Sequence, residues 1–445
     1  MHSEEYRFRR FLNWFPLGLT YATLYMGRYN FNLVKNDIGA WYHLDKAEMG
    51  LIATAGFWTY GLAVALNGPL ADRFGGRKAI LWGTLGGAAM NLLVGLLFLN
   101  QLTTKLLLSL SLLWSANMYF QSFGALSVVK VNSTWFHVRE RGVFGGIFGA
   151  MISSGYFLAT TIGAWLLTKL NWYWIFLVPS LAMTVMFLVD YALVRNRPSH
   201  AGFEDFDTGD GSNAHHAEET PLPLGDLFRK VFHNPVVLAL MAAEFCTGFV
   251  RQGVMLYFTE YLDEVYHLSK KTPLFWWTGI GFMLGGVFGG LLCGWMSDKL
   301  FQSRRPPVAF VFYLVQVVML GLLGLSLGRG THGGQIWAIL LLALTAMFIF
   351  GVHGMLSGTA SMDFGGRKAA ATVTGALDGI QYLGSGLTGF GLGWILKTYG
   401  WDGGGSLPHA PSSAWVWVGT IIPFSLVGAF IMTRIWYAKP ETATH

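Results

Sequence analysis

Two arginines sit inside runs otherwise suited to hydrocarbon, Arg28 in LYMGRYNFNLV and Arg251 in GFVRQGV. An arginine at the middle of a bilayer costs about 2.5–3.5 kcal/mol on insertion scales, so each needs a compensating role. A guanidinium is a planar fork that donates two parallel hydrogen bonds to two oxygens, which suits phosphate better than a lysine would. Facing each other at about 10 Å with an effective dielectric of about 20, two arginines repel by about 1.5 kcal/mol. A phosphate dianion between them reverses that sign. The competing expectation is that each is neutralised by a buried acid, Glu244 or Asp378.

Other chemistry-bearing residues accompany them. Asp378, Gln381 and Tyr382 share one turn of a predicted helix, where a carboxylate would repel a second phosphate, favour a hydroxyl or amine, take up a proton, or pair with a neighbouring helix. His353 lies within the preceding apolar run and either titrates near neutral pH or packs with a hydrogen bond. Tyr29 and Tyr257 are candidates to line a cavity, and Glu244, two turns before Arg251, is a candidate resting partner for it. Lys130 either guides anions into a mouth or snorkels to the interface.

The elements that must position these residues are membrane helices. Of 445 residues, 53% are hydrophobic and 12% charged, which excludes an ordinary soluble domain. Apolar runs long enough to cross about 30 Å of hydrocarbon occur at 13–36, 48–70, 79–99, 106–130, 143–168, 172–194, 235–262, 274–297, 308–327, 335–358, 371–396 and 413–436. An all-α protein with twelve transmembrane helices is therefore expected. Sorted by side, nineteen basic residues fall with the termini and the even-to-odd loops. Eight fall opposite: Lys35, Lys46, Lys105, Lys169, Lys270, Lys271, Arg329 and Lys397. The positive-inside rule then puts both termini in the cytoplasm, with the first run retained as a helix, in a prokaryotic inner membrane. The net charge of +6 is accounted for by topology and the in-membrane cations, not by a nucleic-acid footprint. No metal-ligand cluster, cofactor loop or nucleophile elbow appears, so neither metal, cofactor nor enzymatic activity is expected. Cys246 and Cys293 are expected as filler.

Hydropathy collapses from Pro198 to Asp226, an acidic, polar stretch that divides the chain into a six-helix unit at 1–197, a cytoplasmic linker at 198–230 and a second unit at 231–445. The halves echo each other. Asp72 in GPLADRFGGRK answers Asp298 in GWMSDKLFQSR, and Arg141 in RERG answers Arg367 in GGRK, both at an offset of 226; Arg28 answers Arg251 at 223. Near-constant offsets indicate a duplicated unit in two pseudo-symmetric bundles.

The stretch Gly68-x-Leu70-Ala71-Asp72-Arg73-x-Gly75-x-Arg77-Lys78 resembles the signature loop of the major facilitator superfamily. The resemblance implies a gating role for Gly68, Asp72, Arg73, Gly75 and Arg77, with Arg141, Asp298 and Arg367 as their counterparts. Within the superfamily, GRYNF, FVRQGVMLYFTEYL, LCGWMSDKLF, RKAAATVTGALDGIQYLG and YGWDGG are similar to segments of the organophosphate:phosphate antiporters, which carry glycerol 3-phosphate and hexose 6-phosphate. That likeness implies a monomeric secondary transporter in the bilayer, exchanging a phosphorylated metabolite for inorganic phosphate. A proton-coupled symporter of another organic anion, or a membrane sensor of sugar phosphates, are the alternatives. Three positions depart from the family. Tyr29 replaces a lysine, GALSVVK lacks a helix-4 proline, and Ile152, flanked by Ser153 and Ser154, replaces a histidine.

Overall fold

A computed structural model describes residues 3–101, 105–137, 151–205, 232–404 and 412–438, save 152 and 303, and omits the side chains at 69, 72, 73, 129, 358–372 and 374. Twelve long helical segments follow the apolar runs among the described residues, and no strand forms there. They begin with α1 (Glu4–Tyr42), α2 (Lys46–Phe74) and α3 (Gly76–Leu99). α4 runs Leu106–Gln121 and resumes after Ser122 as Phe123–Trp135. α5 is described from residue 151 and includes a wide turn, Leu158–Ile162, before Gly163–Leu166. α6 is Trp174–Leu193.

The second set opens with α7, Pro235–Met255, prolonged by Phe258–Glu260 and a wide turn at Tyr261–Val265. α8 (Pro273–Leu300) and α9 (Arg305–Gly324) follow. α10, His332–His353, opens into a wide turn at Gly354–Ala360. α11 is Ser361–Leu387, then a wide turn at Thr388–Leu392 and Gly393–Tyr399; α12 is Trp415–Arg434.

Eight described helices are long and apolar enough to span a bilayer by themselves, and α1 is not among them. The reason is its content of Arg28, Asn30, Asn32 and Lys35. Residues 24–35 are buried, so α1 is enclosed by other helices rather than by lipid.

Packing repeats between the halves. α2 packs on α4, α3 on α6 and α1 on α6; correspondingly α8 packs on α10, α9 on α12 and α7 on α12. The halves meet along α2–α11 and its counterpart α8–α5, where the wide turns of α11 and α5 lie. On the central axis, equivalent positions touch. The Gln252 amide donates to the Tyr29 hydroxyl at 3.3 Å and Asn32 Nδ2 donates to the Met255 carbonyl at 3.0 Å, both pairs 223 residues apart. That is the offset between Arg28 and Arg251.

The face away from the termini is closed by charge. Lys35–Glu260 (2.9 Å), Lys46–Glu264 (2.6 Å), Lys397–Asp45 (2.6 Å) and Lys270–Asp37 each join one half to the other. Thr54 Oγ1 donates to the Gly386 carbonyl at 2.6 Å and Trp58 Nε1 to that of Leu383 at 3.1 Å, stitching α2 to α11 at the same end. Four of the eight basic residues expected merely to decorate the opposite loops therefore hold the halves together. Lys35 is in no loop, because α1 continues to Tyr42 and encloses it.

Candidate substrate site

Arg28 and Arg251 are each 2% exposed, below the closed end and on either side of the axis. A chain of amides holds Arg28. Its Nε donates to Gln121 Oε1 at 3.2 Å and its Nη2 to the Gln121 carbonyl at 3.3 Å. Gln121 Nε2 in turn donates to Asn117 Oδ1 at 3.1 Å, Asn91 Nδ2 to the same oxygen at 3.0 Å, and Asn30 Nδ2 to Asn91 Oδ1 at 2.8 Å. Asn117 and Gln121 are one turn apart at the end of the first segment of α4, which aims both amides at α1.

Tyr382 of α11 stands between the arginines. Its hydroxyl accepts from Arg28 Nη1 at 3.1 Å, and its ring face lies 5.3 Å from the Arg251 guanidinium carbon. Arg28 also lies over the rings of Tyr60 and Tyr25, at 4.5 and 4.8 Å. Tyr29 stacks obliquely on Tyr156 at 4.6 Å between ring centroids, and Tyr60 on Tyr382 at 4.1 Å. The arginines thus lie among phenol rings, whose faces attract cations and whose hydroxyls hydrogen-bond.

Arg251 is held more loosely. Nη2 donates to Gln381 Oε1 at 3.2 Å, while Nε and Gln381 Nε2 have no hydrogen-bond partner. The close approach of α7 and α11 makes that contact possible. A Cβ on Gly248 would lie 1.9 Å from the Gln381 carbonyl oxygen, so a side chain there would separate the helices.

The family follows from the whole chain. Residues 17–389 match the model of the Major Facilitator Superfamily. This chain is a major facilitator superfamily protein. It is 27% identical over 420 residues to a probable hexose phosphate transport protein of Chlamydia muridarum (strain MoPn / Nigg), covering 90% of this chain and 88% of the relative. It is 27% identical over 408 residues to the membrane sensor protein UhpC of Salmonella typhimurium, with the same coverages. A Bacillus subtilis glycerol-3-phosphate transporter is 26% identical over 367 residues, covering 81% and 80%. These relatives match the organophosphate:phosphate antiporter family, and none is an enzyme by its name. Among solved structures, an inward-facing bacterial homologue of the lysosomal transporter Spinster superposes with a TM-score of 0.68 at 16% identity, covering 97% of this chain and 96% of the other. At that identity it shows the shared fold.

The expected site residues separate into three groups. Arg28, Arg251, Tyr29, Gln381 and Tyr382 come together at the axis. Asp378 and His353 form a second layer nearer the terminal face, where Asp378 Oδ1 accepts from Ser357 Oγ at 2.8 Å and His353 Nδ1 lies 3.4 Å from Glu244 Oε2. Tyr257 and Lys130 lie elsewhere. Tyr257 belongs to the closed end, where Lys35 Nζ sits 3.6 Å from its ring centroid and its hydroxyl donates to the Gly389 carbonyl at 2.8 Å. Lys130 is exposed in the second segment of α4, nine residues beyond Gln121. Glu244 was a candidate partner for Arg251, but its carboxylate faces His353, and Arg251 Nη2 donates to an amide.

Among the gating residues, Gly75 has φ +86° and ends α2, a conformation that favours glycine. Arg77 donates its backbone N–H to Asn196 Oδ1 at 2.8 Å and its Nη2 to the Tyr191 carbonyl at 2.6 Å, while Asp298 accepts from Arg305 at 3.1 Å. Each of these contacts is within one half. Gly68 lies on α2 with open space around it. Arg141 falls outside the described residues, as do the side chains of Asp72, Arg73 and Arg367.

Sequence reasoning missed Gln121, Asn117, Asn91, Tyr25, Tyr60, Tyr156, Lys35 and Glu260. A usable signal existed for the first two, since amides one turn apart interrupt the apolar run LLLSLSLLWSANMYFQ. For Lys35 and Glu260 the signal was the set of acids, Asp37, Asp45, Glu260 and Glu264, on the same face as the four lysines.

Proposed function

We propose that this protein is a secondary active transporter that exchanges a phosphorylated organic metabolite for inorganic phosphate by alternating access, the phosphate held between Arg28 and Arg251. One observation carries the reading. Two buried guanidiniums at equivalent places in the two halves have amide, carbonyl and phenol partners instead of carboxylates. A buried cation without an acid is costly, and a dianion that bridges the pair relieves that cost and draws the halves together. The likeness to hexose phosphate and glycerol-3-phosphate transporters supports the same substrate class. The units at 1–197 and 231–445 rock about the axis, with the linker at 198–230 and both termini in the cytoplasm of a prokaryotic cell. The carrier works as a monomer in the inner membrane. The phenol rings line the space left for the organic part of the substrate.

Counterflow in liposomes tests it. With vesicles loaded with phosphate, uptake of labelled glycerol 3-phosphate or hexose 6-phosphate is expected to depend on the internal phosphate. Arg28→Lys and Arg251→Lys should each lower it by at least about tenfold, since a point charge replaces a bidentate fork. Uptake that ignores internal phosphate overturns the exchange. The resemblance to UhpC supports a second reading, a membrane sensor of sugar phosphates; rapid counterflow excludes a sensor without flux.

A further inference from the structure

The ionisable groups that the arginine grip leaves unused gather in the second half, one layer nearer the terminal face. Glu244 of α7 is fully buried. Its Oε2 lies 3.4 Å from His353 Nδ1 of α10, and its Oε1 makes no hydrogen bond. Asp378 of α11, bound to Ser357 Oγ, acts electrostatically on both Glu244 and His353. The groups facing Glu244 come from each element packed around it. Its own helix brings Arg251. α9 brings Tyr313, whose hydroxyl is engaged by Thr247 and the Ala243 carbonyl. α10 brings His353 and then the backbone amide of Ser357, which lies toward the carboxylate. α11 brings Asp378.

Two carboxylates and an imidazole in this space cannot all shed their protons without leaving uncompensated charge in a low dielectric. The nearest fixed cation is Arg251, seven residues along the helix, or about 10 Å. While the grip is empty, its field favours an ionised Glu244. A phosphate dianion on Arg251 cancels that field, and the carboxylate then favours a proton. The imidazole is the member of the pair that water can reach, because the His353 side chain is 21% exposed while that of Glu244 is closed off.

We propose that Glu244 and His353 form a proton-binding site coupled to the phosphate grip, so that the occupied carrier takes up a proton that the empty one releases. The proton comes from bulk water by way of the imidazole and returns the same way. Coupling of this kind is reciprocal, so protonating this site tightens binding of the phosphate dianion. The inference rests on the reading of Arg28 and Arg251 as a phosphate grip.

Calorimetric titration of the purified full-length protein with inorganic phosphate, in two buffers of different ionisation enthalpy at one pH, counts the protons taken up. Phosphate's own ionisation is common to all variants and cancels in the comparison. Wild type is expected to take up more than Glu244→Gln, by a difference approaching about one proton per phosphate bound, and Glu244→Asp should restore part of it. Equal counts in wild type and a phosphate-binding Glu244→Gln overturn the proton site and leave the grip standing. Should Glu244→Gln fail to fold, wild type decides alone: phosphate binding with no uptake beyond phosphate's own ionisation overturns the proposal. A folded wild type that gives no heat with phosphate overturns the grip itself.

Discussion

Buried basic residues occur at two levels of the axis, and the company they keep differs. At the closed end Lys35 has a carboxylate: Nζ lies 2.9 Å from Glu260, with both side chains 3% exposed. At the grip, Arg28 and Arg251 have Gln121, Gln381 and Tyr382, all uncharged. A paired charge already has its counter-ion and serves to hold two helices in place. A charge surrounded by neutral dipoles is positioned but not neutralised, and it is suited to accept an anion from outside. Position in the membrane does not distinguish the two, since all three cations are buried between the halves. The partner distinguishes them.

The largest effect is expected where a paired charge is broken. Lys35→Met leaves Glu260 buried with nothing to neutralise it, which destabilises this closed arrangement by about 3–5 kcal/mol. Glu260→Leu strands Lys35 in the same way. Replacing both, as Lys35→Met with Glu260→Leu, should recover most of the loss, because a well-packed apolar pair has no desolvation to overcome. Thermal melting of the four proteins completes a double-mutant cycle. A double variant as unstable as the sum of the singles would mean that the two residues act independently and that the closed end is held by something else.

The twelve membrane helices were legible because each apolar run is long and the basic residues sort by side. The duplication was legible from three matched pairs of charges. The grip was half legible. Arginine is conspicuous in a hydrophobic run, so Arg28 and Arg251 were found, but Gln121 is 93 residues from Arg28, and although the Asn117–Gln121 spacing marks a polar interruption, nothing local says which residue the amide serves. Tyr25 and Tyr60 looked like ordinary core aromatics until the fold turned their rings toward Arg28. Lys35 was misplaced for a simpler reason. The apolar run stops near residue 36, yet α1 continues to Tyr42, with Ile38 and Gly39 buried in its last turns. Hydropathy locates lipid-facing surface, whereas a helix buried in protein has no need of it.

A smaller effect is expected at the grip's support. Gln121→Leu removes the side-chain acceptor that orients Arg28 without touching its charge; the bond from Nη2 to the backbone carbonyl of residue 121 stays, and Nε is left with no acceptor. Losing an acceptor for a charged donor amounts to about 1.5–3 kcal/mol, which corresponds to a rise in the apparent Kd for phosphate of roughly 10- to 100-fold. Gln381→Leu removes the hydrogen bond from Arg251 Nη2 and should weaken binding less than Gln121→Leu does, because Gln121 is itself anchored on Asn117 whereas Gln381 Nε2 has no partner. Equal losses would erase the distinction between a firmly held arginine and a loosely held one; titration of both variants with inorganic phosphate measures it.

The smallest effect belongs to an exposed member of the closed end, Lys397–Asp45, just beyond the apolar run that ends at 396. Hydrogen bonding to Asp45 raises the lysine above its ordinary value. Burial pushes the Asp45 carboxyl up, but Lys397 and the amides of Glu48 and Ala47 outweigh it and hold the carboxyl below the usual range. The signs follow. The Asp45 contribution is present above the unfolded value of about 3.9 and fades as pH falls through its lower folded value; the Lys397 contribution is present below about 10.4 and fades as pH rises through its higher folded value. Between those limits the pair is intact. Lys397→Gln should therefore lower the melting temperature slightly at every pH from about 5 to 9, and the variant and wild-type curves should converge in stronger acid, once Asp45 is protonated in both. Since the aspartate also caps α2 through Ala47 and Glu48, Asp45→Ala should lower it more than Lys397→Gln does. If Lys397→Gln matched the loss of Lys35→Met, an exposed pair would hold the halves as firmly as a buried one, and burial would not be what sets the strength of the closed end.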